Sequence, residues 1–175
     1  ATSWYMAITV VLFAMVISED TTARLDMLRR GLVVGAMIAA LAGIAGYFNL
    51  VPGGRDLLTL YDRARGTFKD PNVYAAFLIL PALLALQSVV SDRFGKALRN
   101  AIAFGIISLA ILLAFSRAAW GGLILTAAFM LAMMVLTSRS QSQRSRIIVI
   151  TLVAAVLAAA LVAVLLSLDS VSDMF

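Results

Sequence analysis

Residues 101–137 read AIAFGIISLAILLAFSRAAWGGLILTAAFMLAMMVLT, an apolar run whose one charged residue is Arg117. Read as one very long helix, it would carry the polar segment 138–146 to the opposite side of a membrane from segment 91–100. Read as two helices with a turn near Ser116-Arg117, it keeps both segments on the same side. The choice is made by charge. Segment 91–100 holds Arg93, Lys96 and Arg99, and segment 138–146 holds Arg139, Arg144 and Arg146. Short loops rich in Lys and Arg collect on the cytoplasmic side, so two crossings are expected.

The rest of the chain follows the same pattern. Hydrophobic residues make up 63% of the 175, charged residues 13%, and the mean hydropathy is +1.02, beyond the range of a water-soluble domain. Six apolar runs stand out, at 4–17, 31–50, 73–90, 101–115, 118–137 and 147–167. Each predicts a helix, because lipid offers nothing to satisfy an open strand edge. The expected fold class is all-α, a polytopic transmembrane bundle of about six spans forming a single domain over residues 1–175.

Loops fall at 18–30, 51–72, 91–100, 116–117 and 138–146. Adding Arg24, Arg29 and Arg30 of the first loop gives nine cations on the cytoplasmic side against four acids, Glu19, Asp20, Asp26 and Asp92. The other side balances Arg55, Arg63, Arg65, Lys69 and Arg117 against Asp56, Asp62, Asp70, Asp169 and Asp173. On this reading 101–115 supplies only about 22 Å of helix, short of a hydrocarbon core of roughly 30 Å. Arg117 is then expected in a recess below the outer surface.

Within the spans, Gly31, Gly35, Ala39 and Gly43 repeat at the spacing that lets helix backbones approach closely, as do Ala155, Ala159 and Ala163. Pro81 should bend its span by removing a backbone bond to Phe77. Trp4, Tyr5, Tyr47, Tyr61, Tyr74 and Trp120 fall near the expected outer ends, as in an aromatic belt. The chain is expected to be a segment of a longer membrane protein, since Ala1 precedes the first apolar run by only three residues and Met174-Phe175 stops as a polar segment opens.

Several chemistries are set aside by composition. The chain has no cysteine and no histidine, which excludes thiolate chemistry, imidazole metal sites and Ser-His triads from these residues. The net charge of +5 is dispersed over short loops and reflects membrane topology, not nucleic acid. No cofactor is expected.

Chemistry is expected in the stretch Arg63-Ala64-Arg65-Gly66-Thr67-Phe68-Lys69-Asp70-Pro71-Asn72. Two arginines and a lysine around a glycine suit phosphate or pyrophosphate, because guanidinium forks bind phosphoryl oxygens bidentately and stay charged when desolvated. The bland alternative is snorkelling to lipid phosphates. Two features favour a ligand: these cations lie where Lys and Arg are disfavoured, and they adjoin a helix start. Either Asp70 or Asn72 can cap that start, and both choices aim a helix N-terminus at the cations. Arginine near a membrane interior usually faces a cavity; for Arg117 the plain alternative is a salt bridge to Asp62 or Asp70, and for Ser116 a helix cap. Asp56, Asp62 and Asp70 are candidate bases, but a carboxylate beside arginine is held ionised.

Arg65-Gly-Thr-Phe-Lys-Asp-Pro-Asn72 opening one span, followed by Phe115-Ser-Arg117-Ala-Ala-Trp120-Gly opening another, resembles the O-antigen ligase and O-antigen polymerase superfamily. The resemblance implies a metal-independent membrane glycosyltransferase of cell-surface polysaccharide synthesis, including lipopolysaccharide and exopolysaccharide. It would take a glycan from undecaprenyl diphosphate on the periplasmic face of the bacterial inner membrane and pass it to a lipid or glycan acceptor. Arg65 and Arg117 would be the catalytic cations, with Arg63, Lys69, Asp70, Asn72 and Ser116 binding substrate. Family members also use a large periplasmic loop, which here would begin near Asp169. Lys69-Asp70 stands where glycine and asparagine are common, as in exopolysaccharide-associated members. The alternatives are a transporter or permease, disfavoured by the scarcity of mid-span charge, and a non-catalytic packing subunit.

Overall fold

The computed structural model describes residues 2–138, 140–141 and 144–152. They form an all-α bundle. Its elements are α1 (Thr2–Glu19), α2 (Thr21–Tyr47), α3 (Gly54–Leu58), the two-residue strands β1 (Thr59–Leu60) and β2 (Arg63–Ala64), α4 (Pro71–Ser91), α5 (Phe94–Leu113) and α6 (Arg117–Thr137). Residues 144–152 are also helical.

Among the described residues four helices, α2, α4, α5 and α6, are long and apolar enough to cross a membrane, against the six spans expected. The first expected span is a helix, but its apolar part, Trp4–Glu19, is about 24 Å long, less than the roughly 30 Å core. Most of the sixth, and Ala155, Ala159 and Ala163 with it, lie outside the described residues. The turn at Ser116-Arg117 is present, so the run 101–137 does form two helices.

Two segments expected as loops are helix. Asp20 interrupts the first for a single residue and accepts a hydrogen bond from the Ala23 N–H at 3.1 Å, so α2 begins ten residues before its apolar run. Likewise α5 begins at Phe94, since Lys96, Ala97, Leu98 and Arg99 are good helix formers. Hydropathy marks where a helix meets lipid, whereas backbone hydrogen bonding carries it on into the interface. The consequence for α5 is direct: its 20 residues reach about 30 Å and span the core unaided. The shortness expected to pull Arg117 into a recess is therefore gone, and Arg117 is exposed.

The helix α4 is the centre of the bundle, packing on α5, α2 and α6. Ala36, Ala39 and Ala40 of α2, Tyr74, Ala75, Leu78 and Ala82 of α4, and Ile107, Ala110 and Ile111 of α5 form its core. Alanine dominates because close backbone approach, not hydrophobicity, drives helix association in lipid. Of the expected small-residue face, Ala39 and Gly43 are buried, together with Ala36, Ala40 and Gly46, whereas Gly31 and Gly35 are exposed, with nothing within 4 Å of a Cβ at either. Tyr74 packs on the buried part of this face. Its ring is fully buried, its hydroxyl donates to the Ala39 carbonyl at 3.3 Å, and a Cβ at Gly43 would overlap that hydroxyl. Tyr74 thus belongs to the core, not to an interfacial belt. Pro81 is buried within α4, which continues to Ser91.

The helices alternate in direction, so the bundle has two distinct ends. At one end, the Arg29 guanidinium on α2 donates to the Leu84 carbonyl at 3.3 Å and to the Ser88 hydroxyl on α4, and Arg146 donates to the Asp92 carbonyl. At the other lie residues 48–70 and the α5–α6 turn. Arg29, segment 91–100 and Arg146 thereby share an end, as the charge of their segments required.

Candidate functional site

Residues 54–72 at the loop end begin with a one-and-a-half-turn helix and a minimal hairpin. Leu60 pairs with Arg63 across a two-residue turn in which Tyr61 and Asp62 have φ of 52° and 57°. Both turn residues in the left-handed region is the arrangement whose twist matches the flanking strands. Asp62 accepts from the Arg55 Nη2 at 2.7 Å, and this carboxylate raises the Arg55 pKa above its ordinary value. The tip residue Tyr61 is 87% exposed.

The strand β2 delivers Arg63 to a junction. Its Nε donates to the Ala114 carbonyl at 2.7 Å, and its Nη2 donates to the Asn72 side-chain oxygen at 2.9 Å. One guanidinium therefore ties the hairpin to the first turn of α4 and to the end of α5. Arg65 is held differently. Its Nη2 donates to the Leu57 carbonyl at 3.1 Å, with the Asp56 carbonyl at 3.5 Å, and the Arg65 and Gly66 N–H groups both donate to the Leu58 carbonyl at 3.0 Å. The Arg65 Nε is buried and has no hydrogen-bond partner among the described residues.

The next residues seat the stretch against the core. Gly66 has φ of 55°, and a Cβ there would lie 2.9 Å from the Tyr74 Cε2 and 3.0 Å from the Ala39 carbonyl oxygen. Both backbone and space require glycine. Phe68 packs against the rings of Tyr74 and Phe77, at centroid distances of 5.8 and 5.1 Å. Lys69 is exposed, with no hydrogen bond or ion pair among the described residues. Asp70, not Asn72, is the cap: its carboxylate accepts from the Asn72 N–H at 2.7 Å and the Val73 N–H at 3.3 Å, with Pro71 at the first helical position. The backbone N–H of Asn72 holds the carboxyl below its ordinary pKa, the nearby Arg63 adding to this. These N–H groups are thus occupied, and the α4 N-terminus is not the open anion site expected from sequence.

The second motif forms the α5–α6 turn. Phe115 has φ of 47°, a left-handed residue ending α5, and its N–H donates to the Leu112 carbonyl at 2.9 Å. Ser116, 4% exposed, accepts from the Ala119 N–H at 3.4 Å and caps α6. Trp120 donates its indole N–H to the Ile111 carbonyl at 3.1 Å, and its ring meets Phe115 at 6.3 Å, while Phe115 meets Tyr47 at 6.2 Å. Trp120 is thereby built into the turn. Arg117, the first residue of α6, is exposed with no hydrogen bond or ion pair among the described residues; neither Asp62 nor Asp70 pairs with it.

Both motifs are thus at one end of the bundle, joined by Arg63. Arg65 is anchored on the α3 side of this junction and Arg117 stands on the α5–α6 side. Chemically, Arg117 and Lys69 retain their donors for an anion, and Arg65 retains part of its fork. Of the three candidate bases, Asp62 is paired with Arg55 and Asp70 is engaged in its cap. Sequence reasoning missed the junction, because Arg63 binds a main-chain carbonyl, which carries no residue signature. It also missed the left-handed turns at Tyr61, Asp62 and Phe115, where glycine or asparagine would have been the signal. Comparison of the chain with protein-family models, curated proteins and solved structures returns no match.

Proposed function

We propose that the loop end binds the diphosphate of a lipid-linked glycan and that the protein is part of a glycan ligase or polymerase of cell-surface polysaccharide synthesis. The observation carrying this reading is the Arg63 junction, with its 2.7 Å bond to the Ala114 carbonyl, which gathers Arg65, Lys69 and Arg117 at one end of a membrane-spanning bundle. The resemblance of the two motifs to O-antigen ligases and polymerases adds the substrate class, an undecaprenyl-diphosphate-linked glycan. The charge asymmetry adds the side, with the loop end facing the periplasm of a bacterial inner membrane.

In the proposed reaction an acceptor hydroxyl oxygen bonds to the anomeric carbon as that carbon's bond to the diphosphate oxygen breaks. Negative charge grows on the departing diphosphate. Arg65, held by the Leu57 carbonyl, and Arg117, exposed at the start of α6, would neutralise that charge through charge-assisted hydrogen bonds. Lys69 adds a point charge, Arg63 and Asn72 hold the loop in register, and Asp70 and Ser116 fix the two helix starts that carry the cations. The hydroxyl proton passes to a base outside this set.

The test is Arg65→Ala and Arg117→Ala in the full-length protein. Each should abolish surface-glycan laddering while membrane insertion is retained, and Arg117→Lys should restore little, because lysine lacks the planar fork. Normal laddering in both alanine variants would end the proposal.

A further inference from the structure

At the end opposite the loop, α2, α4 and α5 diverge around a cleft of about 840 Å³. Its walls change character at one level. On α2, Asp26, Arg29 and Arg30 line the mouth, and Val34, Ile38 and Leu41, each more than half exposed, line the apolar wall. On α5, Lys96 and Arg99 give way to Ile102 and Ala103, and on the α4 side, Ser88 and the cap residue Asp92 give way to Leu84 and Ala85. The Arg29 bonds to Ser88 and the Leu84 carbonyl pin α2 to α4 at this level. From Arg30 to Leu41 the wall descends about 17 Å, against about 15 Å for half of a hydrocarbon core. The cleft is one leaflet deep.

Its charge is unbalanced at the mouth, with four cations, Arg29, Arg30, Lys96 and Arg99, facing two acids, Asp26 and Asp92. Arg29 is spent on α4, and the Asp92 carboxylate accepts from the Asn100 amide at 3.4 Å. Arg30 and Asp26 form an exposed pair at 3.6 Å. Lys96 and Arg99, three residues apart on one face of α5, are exposed and make no hydrogen bond or ion pair among the described residues.

We propose that this cleft binds an anionic phospholipid of the adjoining leaflet, with its phosphate on Lys96 and Arg99 and an acyl chain along Val34, Ile38 and Leu41. A free phosphate would leave the apolar wall unused, and a zwitterionic lipid would leave the surplus positive charge unmatched. Basic clefts between spans are the usual receptors for such headgroups. The proposal requires only that the bundle sits in a membrane, so it stands apart from the glycan-transfer reading.

The test uses the full chain in nanodiscs of equal phosphatidylglycerol and phosphatidylcholine, with co-purifying lipid counted by native mass spectrometry. The unaltered protein should retain phosphatidylglycerol preferentially, and excess inorganic phosphate should not displace it. Lys96→Gln and Arg99→Gln should each lower the preference about fivefold, and together on the order of twentyfold. Ile38→Trp, which places a bulky ring on the apolar wall, should weaken retention of lipid of both kinds. Arg93→Gln, at the same end but outside the cleft, should change the preference by less than about twofold. Equal loss in Arg93→Gln and Arg99→Gln would mean diffuse surface attraction and overturn the site. Displacement by phosphate, or an unchanged preference in the double variant, would overturn it too.

Discussion

Gly66→Ala isolates what fastens the basic stretch to the bundle. The added methyl meets two obstacles. Left-handed backbone, here at φ of 55°, costs an L-residue about 1–2 kcal/mol. The methyl would also lie 2.9 Å from the Tyr74 ring and 3.0 Å from the Ala39 carbonyl, and forcing a group into a filled core costs about 1–3 kcal/mol. Tyr74 has no room to retreat, since its hydroxyl already abuts Gly43. The sum is about 2–5 kcal/mol. Gly53 is the matched control: its φ is 71°, but nothing lies within 4 Å of a Cβ there, so Gly53→Ala should cost only the backbone share, about 1–2 kcal/mol. Reversible unfolding in bicelles, followed by denaturing-detergent titration, reads both. Gly66→Ala should be the more destabilising by about 1–3 kcal/mol; equal losses in the two variants would refute the packing of this stretch against α2 and α4.

Other consequences follow from the same contacts. Arg63→Lys keeps the charge but cannot serve Ala114 and Asn72 together, so glycan transfer in cells should fall well below wild type with expression preserved; transfer at wild-type levels would show that the junction is dispensable. The buried carbonyl of Ala114 left unpaired in Arg63→Ala should cost about 1–3 kcal/mol in the same unfolding assay, and a loss below about 0.5 kcal/mol would argue against the bond. The lowered pKa of Asp70 has a defined sign: its cap contributes fully above the unfolded carboxyl value of 3.8 and is lost as pH falls through the lower folded value. Compared with Asp70→Asn, the unaltered protein should therefore lose additional stability on acidification below about pH 4; superimposable profiles would contradict the cap.

The fold was legible where lipid dictates it. The apolar runs located α2, α4, α5 and α6, and the arginines of 91–100 and 138–146 required the turn at Ser116, because burying or misplacing charge is costly in a membrane. Helix ends were less legible. Residues 21–30 and 94–100 are polar enough to resemble loops, yet nothing in them stops a helix before Asp20 or Arg93. The packing face was legible in part: Ala39 and Gly43 of the four-residue repeat are buried beside Tyr74, whereas Gly31 and Gly35 are exposed and Ala36, Ala40 and Gly46 complete the face. In the candidate site, the Asp70-Pro71 helix start and Ser116 cap were visible as local chemistry. The Arg63–Ala114 link was not, since it depends on where two distant segments meet.

The central claim is that Arg65 and Arg117 hold one diphosphate between them, and a double-mutant cycle on binding of undecaprenyl diphosphate to the full-length protein tests it most directly. Each alanine variant should weaken binding by about tenfold or more, as expected for loss of a charge-assisted hydrogen bond. The double variant should fall short of the product of the two effects, by a coupling of about 0.5–3 kcal/mol. Strictly multiplicative effects, or affinity unchanged in either single variant, would contradict a shared site.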